Sequence, residues 1–290
     1  MKNRFVRILV ALFFIVLFSY KSFAQCSDAG VCQLGDHSFD IENSTLLDVS
    51  VSYKFGSSGK DDDVQFHSLQ LNGSYNLFTN SSIQLLIPYN FQSGPVGNVN
   101  GIDDLILSWN QKLLADENSS LSTSLGVKLA IGSDKKDYLH QVYQSGLGAN
   151  DLLFALNYSY NNISLSAGYQ MAGGRNDNVL KLKRGDDLLL RGAYNLTFGE
   201  INITPQLLFI KRLSKSSIVD FSTATMVEKF IEVDNSDQTQ LNLLTTLQYD
   251  FGGVYSLIGE FAIPFLKREV NVDGLTRVFS ASVGVSFSIN

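Results

Sequence analysis

Three acidic triplets recur along the chain: Asp103-Asp104-Leu105, Asn150-Asp151-Leu152 and Asp186-Asp187-Leu188. Carboxylates repeated in one setting can ring a cation path or hold a divalent ion, because both tasks need oxygens converging on one point. They can equally start strands after glycine turns and pair with cations such as Lys128 or Arg191, which is the reading preferred here. Cys26 and Cys32 enclose Ser-Asp-Ala-Gly-Val, and two cysteines this close in an oxidising compartment are expected to form a disulfide. No third cysteine or adjacent histidine strengthens a metal site there. A hydrolase would need a Ser–His pair with an orienting third group. The histidines are His37, His67 and His140. His67 and Ser68 are neighbours on an extended segment and face opposite ways, and His140 sits in the loop Lys135–Tyr143 without a nearby serine. No catalytic residue, metal or cofactor is assigned, and there is no Gly-Lys-Ser/Thr loop for ATP.

What must position these residues is a dyad rhythm running from about Leu47 to Ile289. Phe279, Ala281, Val283, Val285, Phe287 and Ile289 alternate with serines and Gly284; Leu121, Thr123, Leu125, Val127, Leu129 and Ile131 alternate with Ser122, Ser124, Gly126, Lys128 and Ala130. Strand side chains point to opposite faces with period two, so each segment has one apolar face and one small, polar face. Long strands with that division suit a transmembrane barrel, with lipid outside and a wet lumen inside. The fold class expected is therefore all-β: an antiparallel up-and-down barrel of about 12 strands, with 14 as the alternative.

The N-terminus sets the compartment. Lys2, Arg4 and Arg7 precede an apolar run from Ile8 to Phe18 and then Ser22-Phe23-Ala24, the layout of a secretory signal peptide cut after Ala24. The domains expected are a signal peptide over 1–24, a periplasmic or plug-like segment over 25–43, and the barrel over 44–290. Beyond the leader no apolar stretch reaches the ~20 residues of a membrane helix, so an exported membrane chain must cross as a closed barrel. The net charge of −6 becomes more acidic once Lys2, Arg4, Arg7 and Lys21 leave with the leader, which argues against nucleic acid as a partner.

Alternation read against turn residues gives ascending strands near 45–55, 81–91, 119–131, 162–172, 201–212 and 254–266. Descending partners lie near 64–77, 102–114, 150–160, 186–198, 239–251 and 277–290. Down-to-up connections are short and up-to-down connections long and polar, the asymmetry of outer-membrane barrels with short periplasmic turns. The stretch Ile218–Val233 reads as an outer hairpin, or as an extra spanning pair. Aromatics fall at both strand ends: Tyr75, Phe78, Tyr158, Tyr160 and Phe251 at the periplasmic rim, and Tyr53, Phe55, Phe66, Tyr89 and Phe265 at the outer rim.

Several blocks carry a family resemblance. Ser74–Tyr89 is a strand, tight turn and strand ending in Pro-Tyr. Gly101-Ile102-Asp103-Asp104-Leu105 opens the next strand, and Leu125–Gly132 followed by Gln144–Asp151 completes the series. Together they resemble the outer-membrane barrel family associated with meta-pathway phenol degradation, distantly similar to FadL-like transporters, over roughly residues 44–290. The resemblance implies passage of small, often hydrophobic compounds, and an N-terminal segment that folds inward. The ending Val285–Asn290 resembles an outer-membrane assembly signal, which implies the barrel-assembly machinery as a partner.

The expected function is passive uptake of small solutes, hydrophobic or aromatic ones included, across the outer membrane of a Gram-negative bacterium. Outer-membrane lipid and the solute are the other partners. A structural or adhesive barrel is the alternative, and an outer-membrane hydrolase the weaker one. With the triplet leucines facing lipid, Asp104, Asp151 and Asp187 point into the lumen mouth. Lys112, Lys128, Arg191 and Glu260 also fall on the lumen face. Leu86, Leu153, Leu189, Leu244 and Ile258 break the polar face and mark an apolar patch, which serves a hydrophobic cargo or packs under an inward loop.

Overall fold

The structure, a computed structural model, describes residues 46–59, 63–222, 228–270 and 272–289. The leader, the Cys26 and Cys32 pair and the rest of 25–43 lie outside the described residues. The strands are β1 (Leu47–Ser57), β2 (Gln65–Phe78), β3 (Ser81–Gly94), β4 (Gly97–Ile102), β5 (Leu105–Ala115), β6 (Ser119–Leu129), β7 (Asp151–Tyr160), β8 (Ile163–Met171), β9 (Asp187–Tyr194), β10 (Leu196–Phe198), β11 (Ile201–Arg212), β12 (Ser217–Val219), β13 (Phe230–Glu232), β14 (Thr239–Phe251), β15 (Tyr255–Leu266) and β16 (Phe279–Ile289). β4 with β5, and β9 with β10, each form one interrupted stave, so the closed antiparallel barrel has 12 strands. Closure runs through β1 and β16, in register from Leu47 opposite Ile289 to Ser57 opposite Phe279. That seam removes the open sheet edges, which is what a sheet needs in order to sit in hydrocarbon.

Local chemistry sets the turns. At one end β7 turns into β8 through Asn161 at φ 48°, and β14 turns into β15 through Gly252 and Gly253 at φ 72° and 85°. Asparagine and glycine tolerate this left-handed region, so tight hairpins form there. The opposite end carries the long connections, which makes it the outer face by the same asymmetry. Ile218–Val233 supplies the small β12–β13 hairpin beside the barrel, not an extra spanning pair. The stretch after Phe91 differs from the loop expected. β3 continues to Gly94, turns at Pro95-Val96 and returns as β4, so a two-stranded extension rises above the wall.

The outer surface is apolar by alternation. Leu69, Leu71, Trp109, Leu125, Phe154, Leu156, Leu165, Leu190, Leu207, Leu247, Val283 and Val285 are all exposed. A continuous apolar belt of this kind would aggregate in water, whereas around a closed barrel it matches lipid. Tyr75, Phe78, Tyr158, Tyr160 and Phe251 face outward at one rim, and Tyr53, Phe55, Tyr89 and Phe265 at the other. Phe66 departs from the expected belt. It shares the lumen face of β2 with Ser68 and Gln70, is buried, and lies under the Arg277 guanidinium at 3.2 Å.

Candidate functional site: a lumen closed at its outer mouth

The two halves of the lumen are built differently. Toward the short-turn end the wall is polar: Asp48, Ser50, Ser52, Asn72, Ser74, Gln84, Thr246, Gln248, Ser256, Ser286 and Ser288 stay half-exposed, while Ser82, Asn110, Ser122 and Asn157 are buried. Toward the outer end, Leu86, Ile106, Leu153, Ala155, Leu189, Leu208, Ile210, Leu244 and Ala262 form one buried apolar cluster inside the barrel. Leu86, Leu153, Leu189 and Leu244 of the expected patch belong to it, while Ile258 on β15 is half-exposed and lies outside it.

Three outer loops roof this cluster. The β6–β7 loop drops Gln141, Tyr143, Gln144, Ser145 and Leu147 inward; the β8–β9 loop drops Asn176, Asn178, Leu182 and Arg184; the β15–β16 loop drops Arg268, Asp273, Leu275 and Arg277. They hold one another. The Asn176 amide donates to Gln141 Oε1 at 2.8 Å and to the Leu147 carbonyl at 2.9 Å, and the Asn178 amide donates to the Asp134 carbonyl at 2.6 Å. Tyr143 packs with Val64, Phe66 and Val99 as a second apolar cluster. A Cβ on Gly94 would meet the Tyr143 hydroxyl at 2.6 Å, so a larger residue there would push the Tyr143 ring aside. Between roof and wall, Ser68, Gln70, Leu86, Asp104, Gln144 and Arg277 line a cavity of about 50 Å³.

The acidic triplets fasten roof to wall, each by a repeated device. The first residue reaches back along the sheet: Asn150 Oδ1 accepts from the Ala130 amide at 2.7 Å and Asp186 Oδ1 from the Ala172 amide at 2.9 Å, while Asp103 accepts from the Asn90 amide at 2.7 Å. The second residue faces the lumen. Asp104 accepts from the Leu147 amide at 2.9 Å, and Asp151 accepts from the Gly173 amide at 2.9 Å and from Gln170 at 2.6 Å. Asp187 receives two bonds from Arg212, both at 3.0 Å.

These carboxylates belong to an alternating ionic chain. Lys128 stands 3.4 Å from Asp104 and 3.7 Å from Asp151; Arg184 stands 3.7 Å from Asp151 and 3.6 Å from Asp187. Arg212 joins Asp187 to Asp273 at 3.0 and 2.8 Å, and Arg268 lies 3.7 Å from Asp273. All eight residues are buried. Burial by itself would raise the Asp273 carboxyl, but the Arg212, Arg268 and Arg184 guanidiniums outweigh it and hold that carboxyl far below the usual range. The carboxylates therefore spend their charge on neighbouring cations and loop amides.

Of the other expected residues, Arg191 is buried on the lumen face of β9, in register with Ser166 and Leu208. Lys112 and Glu260 are half-exposed on β5 and β15, in register with Ser122 and Thr246. His67 hydrogen-bonds with Tyr53 at 2.6 Å, and His140 is exposed in the roof. Among the described residues no group of three His, Cys, Asp or Glu could hold a metal ion. Arg184, Arg212, Arg268 and Asp273 were not singled out by sequence reasoning. Only Arg212 carried a signal, because it shares the strand parity of Gln206.

No family model matches the chain, and no curated protein matches it in sequence. Among solved structures, an outer-membrane channel from Pseudomonas putida F1 is similar with a TM-score of 0.62 at 13% identity, over 84% of this chain and 96% of that one. The NanC porin is similar with a TM-score of 0.52 at 13% identity, over 83% of this chain and 98% of that one. At these identities the likeness defines the fold, and the fold is that of the outer-membrane β-barrels.

Proposed function

We propose that this chain is an outer-membrane channel through which small solutes, hydrophobic and aromatic ones included, pass down their gradient. One observation carries the reading: a wet, polar inner lumen leads to an apolar cluster beneath a roof of loops inside an apolar-coated barrel. Short serine, asparagine and glutamine side chains suit passage more than tight binding, and the apolar patch, packed under the roof, becomes a surface for a hydrophobic solute when the loops lift. The two similar structures are an outer-membrane channel and a porin, which supports the same reading. Export through the signal peptide and insertion by the barrel-assembly machinery belong to this proposal.

Planar-bilayer conductance, repeated with aromatic and fatty-acid solutes, tests it. Discrete conductance steps or solute-dependent block are expected. A barrel that neither conducts nor binds these solutes, with its roof loops shortened as well as intact, sinks the channel reading. The roofed mouth and the exposed Phe221, Phe230 and Ile231 near the outer hairpin favour a second reading, a structural or adhesive barrel acting through its loops. Liposome swelling separates the two, since that barrel needs no pore.

A further inference from the structure

We propose that the β8–β9 and β15–β16 loops form a charge latch over the lumen, closed by Asp273 on Arg212 and by Arg184 between Asp151 and Asp187. The inference rests on the channel reading and concerns how such a channel opens. The ionic chain divides by origin. Lys128, Asp151, Asp187 and Arg212 are set on strands of the wall, whereas Arg184, Arg268 and Asp273 come from loops. The Arg184–Asp151, Arg184–Asp187 and Arg212–Asp273 links therefore each tie a loop to the wall, while Arg268–Asp273 lies within the β15–β16 loop.

The ties are of two kinds. Arg212 is the firm one: its guanidinium donates to both Asp187 oxygens at 3.0 Å and to Asp273 at 2.8 Å. Arg184 and Arg268 are loose. Their nearest carboxylates are 3.6–3.7 Å away, and all three Arg184 nitrogens and the Nε and Nη1 of Arg268 make no hydrogen bond, although both residues are buried. A buried ion held without its hydrogen bonds recovers little of its desolvation penalty. Among the ionic ties that reach the loops only Arg212–Asp273 is firm, while the β8–β9 loop is held besides by the Asn176 and Asn178 bonds to the β6–β7 loop. In the latch that one firm ionic link decides whether the charged contacts of both loops stay closed. Water or an arriving anion could take over the open guanidinium donors as the loops lift.

The test uses full-length protein folded in bilayers, with heat-modifiable gel migration confirming the barrel in every variant. Amide hydrogen exchange over 173–186 and 267–278 is compared for wild type, Asp273→Asn and Asp273→Glu. The latch requires exchange in both loops to rise by about tenfold or more in Asp273→Asn, with Asp273→Glu closer to wild type. Unchanged exchange, or a rise confined to 267–278, overturns it. Conductance of the same proteins separates this proposal from the channel reading. A protein lacking 267–278 that conducts while Asp273→Asn stays closed sinks the latch alone. Faster exchange in both loops without conductance in any variant upholds the latch and sinks the channel.

Discussion

The outer and inner halves of the lumen are made by the same strands, yet only the outer one is packed with apolar side chains; the buried residues of the inner wall, such as Ser82, Asn110, Ser122 and Asn157, are polar. Leu153, Leu189 and Leu208 are buried in the outer half, and the ionic chain sits above them. In the inner half Ser50, Ser74, Gln248 and Ser286 remain partly exposed. Strand pairing runs through both, with one brief interruption in each, so the backbone does not account for the contrast. It comes from side-chain size on the lumen face and from loops long enough to fold back at one end only. A barrel wall can thus be uniform while its interior is graded from wet to sealed.

Substitutions can break that contrast, and the largest effect falls on the firm ionic link. Arg212→Ala leaves Asp187 and Asp273 buried beside a lost partner, so a destabilisation of about 3–5 kcal/mol is expected. Urea unfolding in micelles, followed through Trp109, measures it. Leu153→Ala comes next: it opens a cavity in the apolar cluster, for a loss of about 2–4 kcal/mol in the same titration. Gly173→Ala follows at about 1–3 kcal/mol, because its Cβ would lie 1.7 Å from the Asn150 carbonyl oxygen and the roof must shift. Gln248→Ala in the wet half should change stability by less than about 0.5 kcal/mol, and a larger loss there would erase the contrast.

Acid sharpens the comparison from another side. The Asp273 carboxyl is depressed in the folded protein, so its contribution is fully present above the ordinary carboxylate range near ~3.9 and disappears as pH falls through the lower folded value. Amide exchange in 267–278 should therefore be flat from neutral pH down to about 4, after correction for intrinsic rates, and accelerate only in stronger acid. Loop opening already at pH 6 would show that Asp273 is not what holds it.

Much of this was legible in the sequence wherever side chains repeat with period two. The strands 201–212 and 239–251 match β11 and β14 to the residue, and the parity that turns Leu189 inward also turns Asp187 and Arg191 inward. Parity also held the signal that Phe66 faces the lumen, but its place near a strand end suggested a rim aromatic instead. The roof was not legible. Arg184, Arg268 and Asp273 sit where the chain has no period, and their meeting depends on three loops separated widely in sequence. Pro95-Val96 read as loop because turn residues mark a turn without telling how far the flanking strands continue.

The seam between β1 and β16 has a kinetic consequence. Leu47 and Ile289 are neighbours in space and almost the whole barrel apart in sequence, so the cylinder cannot seal until its last strand is in hand. Until then the growing sheet carries two raw edges and an apolar flank, a state that invites pairing with other chains. Contacts this distant form late and slowly. The chain is thus most vulnerable just before it is finished, and a defect in Phe279–Ile289 would act on yield long before it acted on the completed barrel.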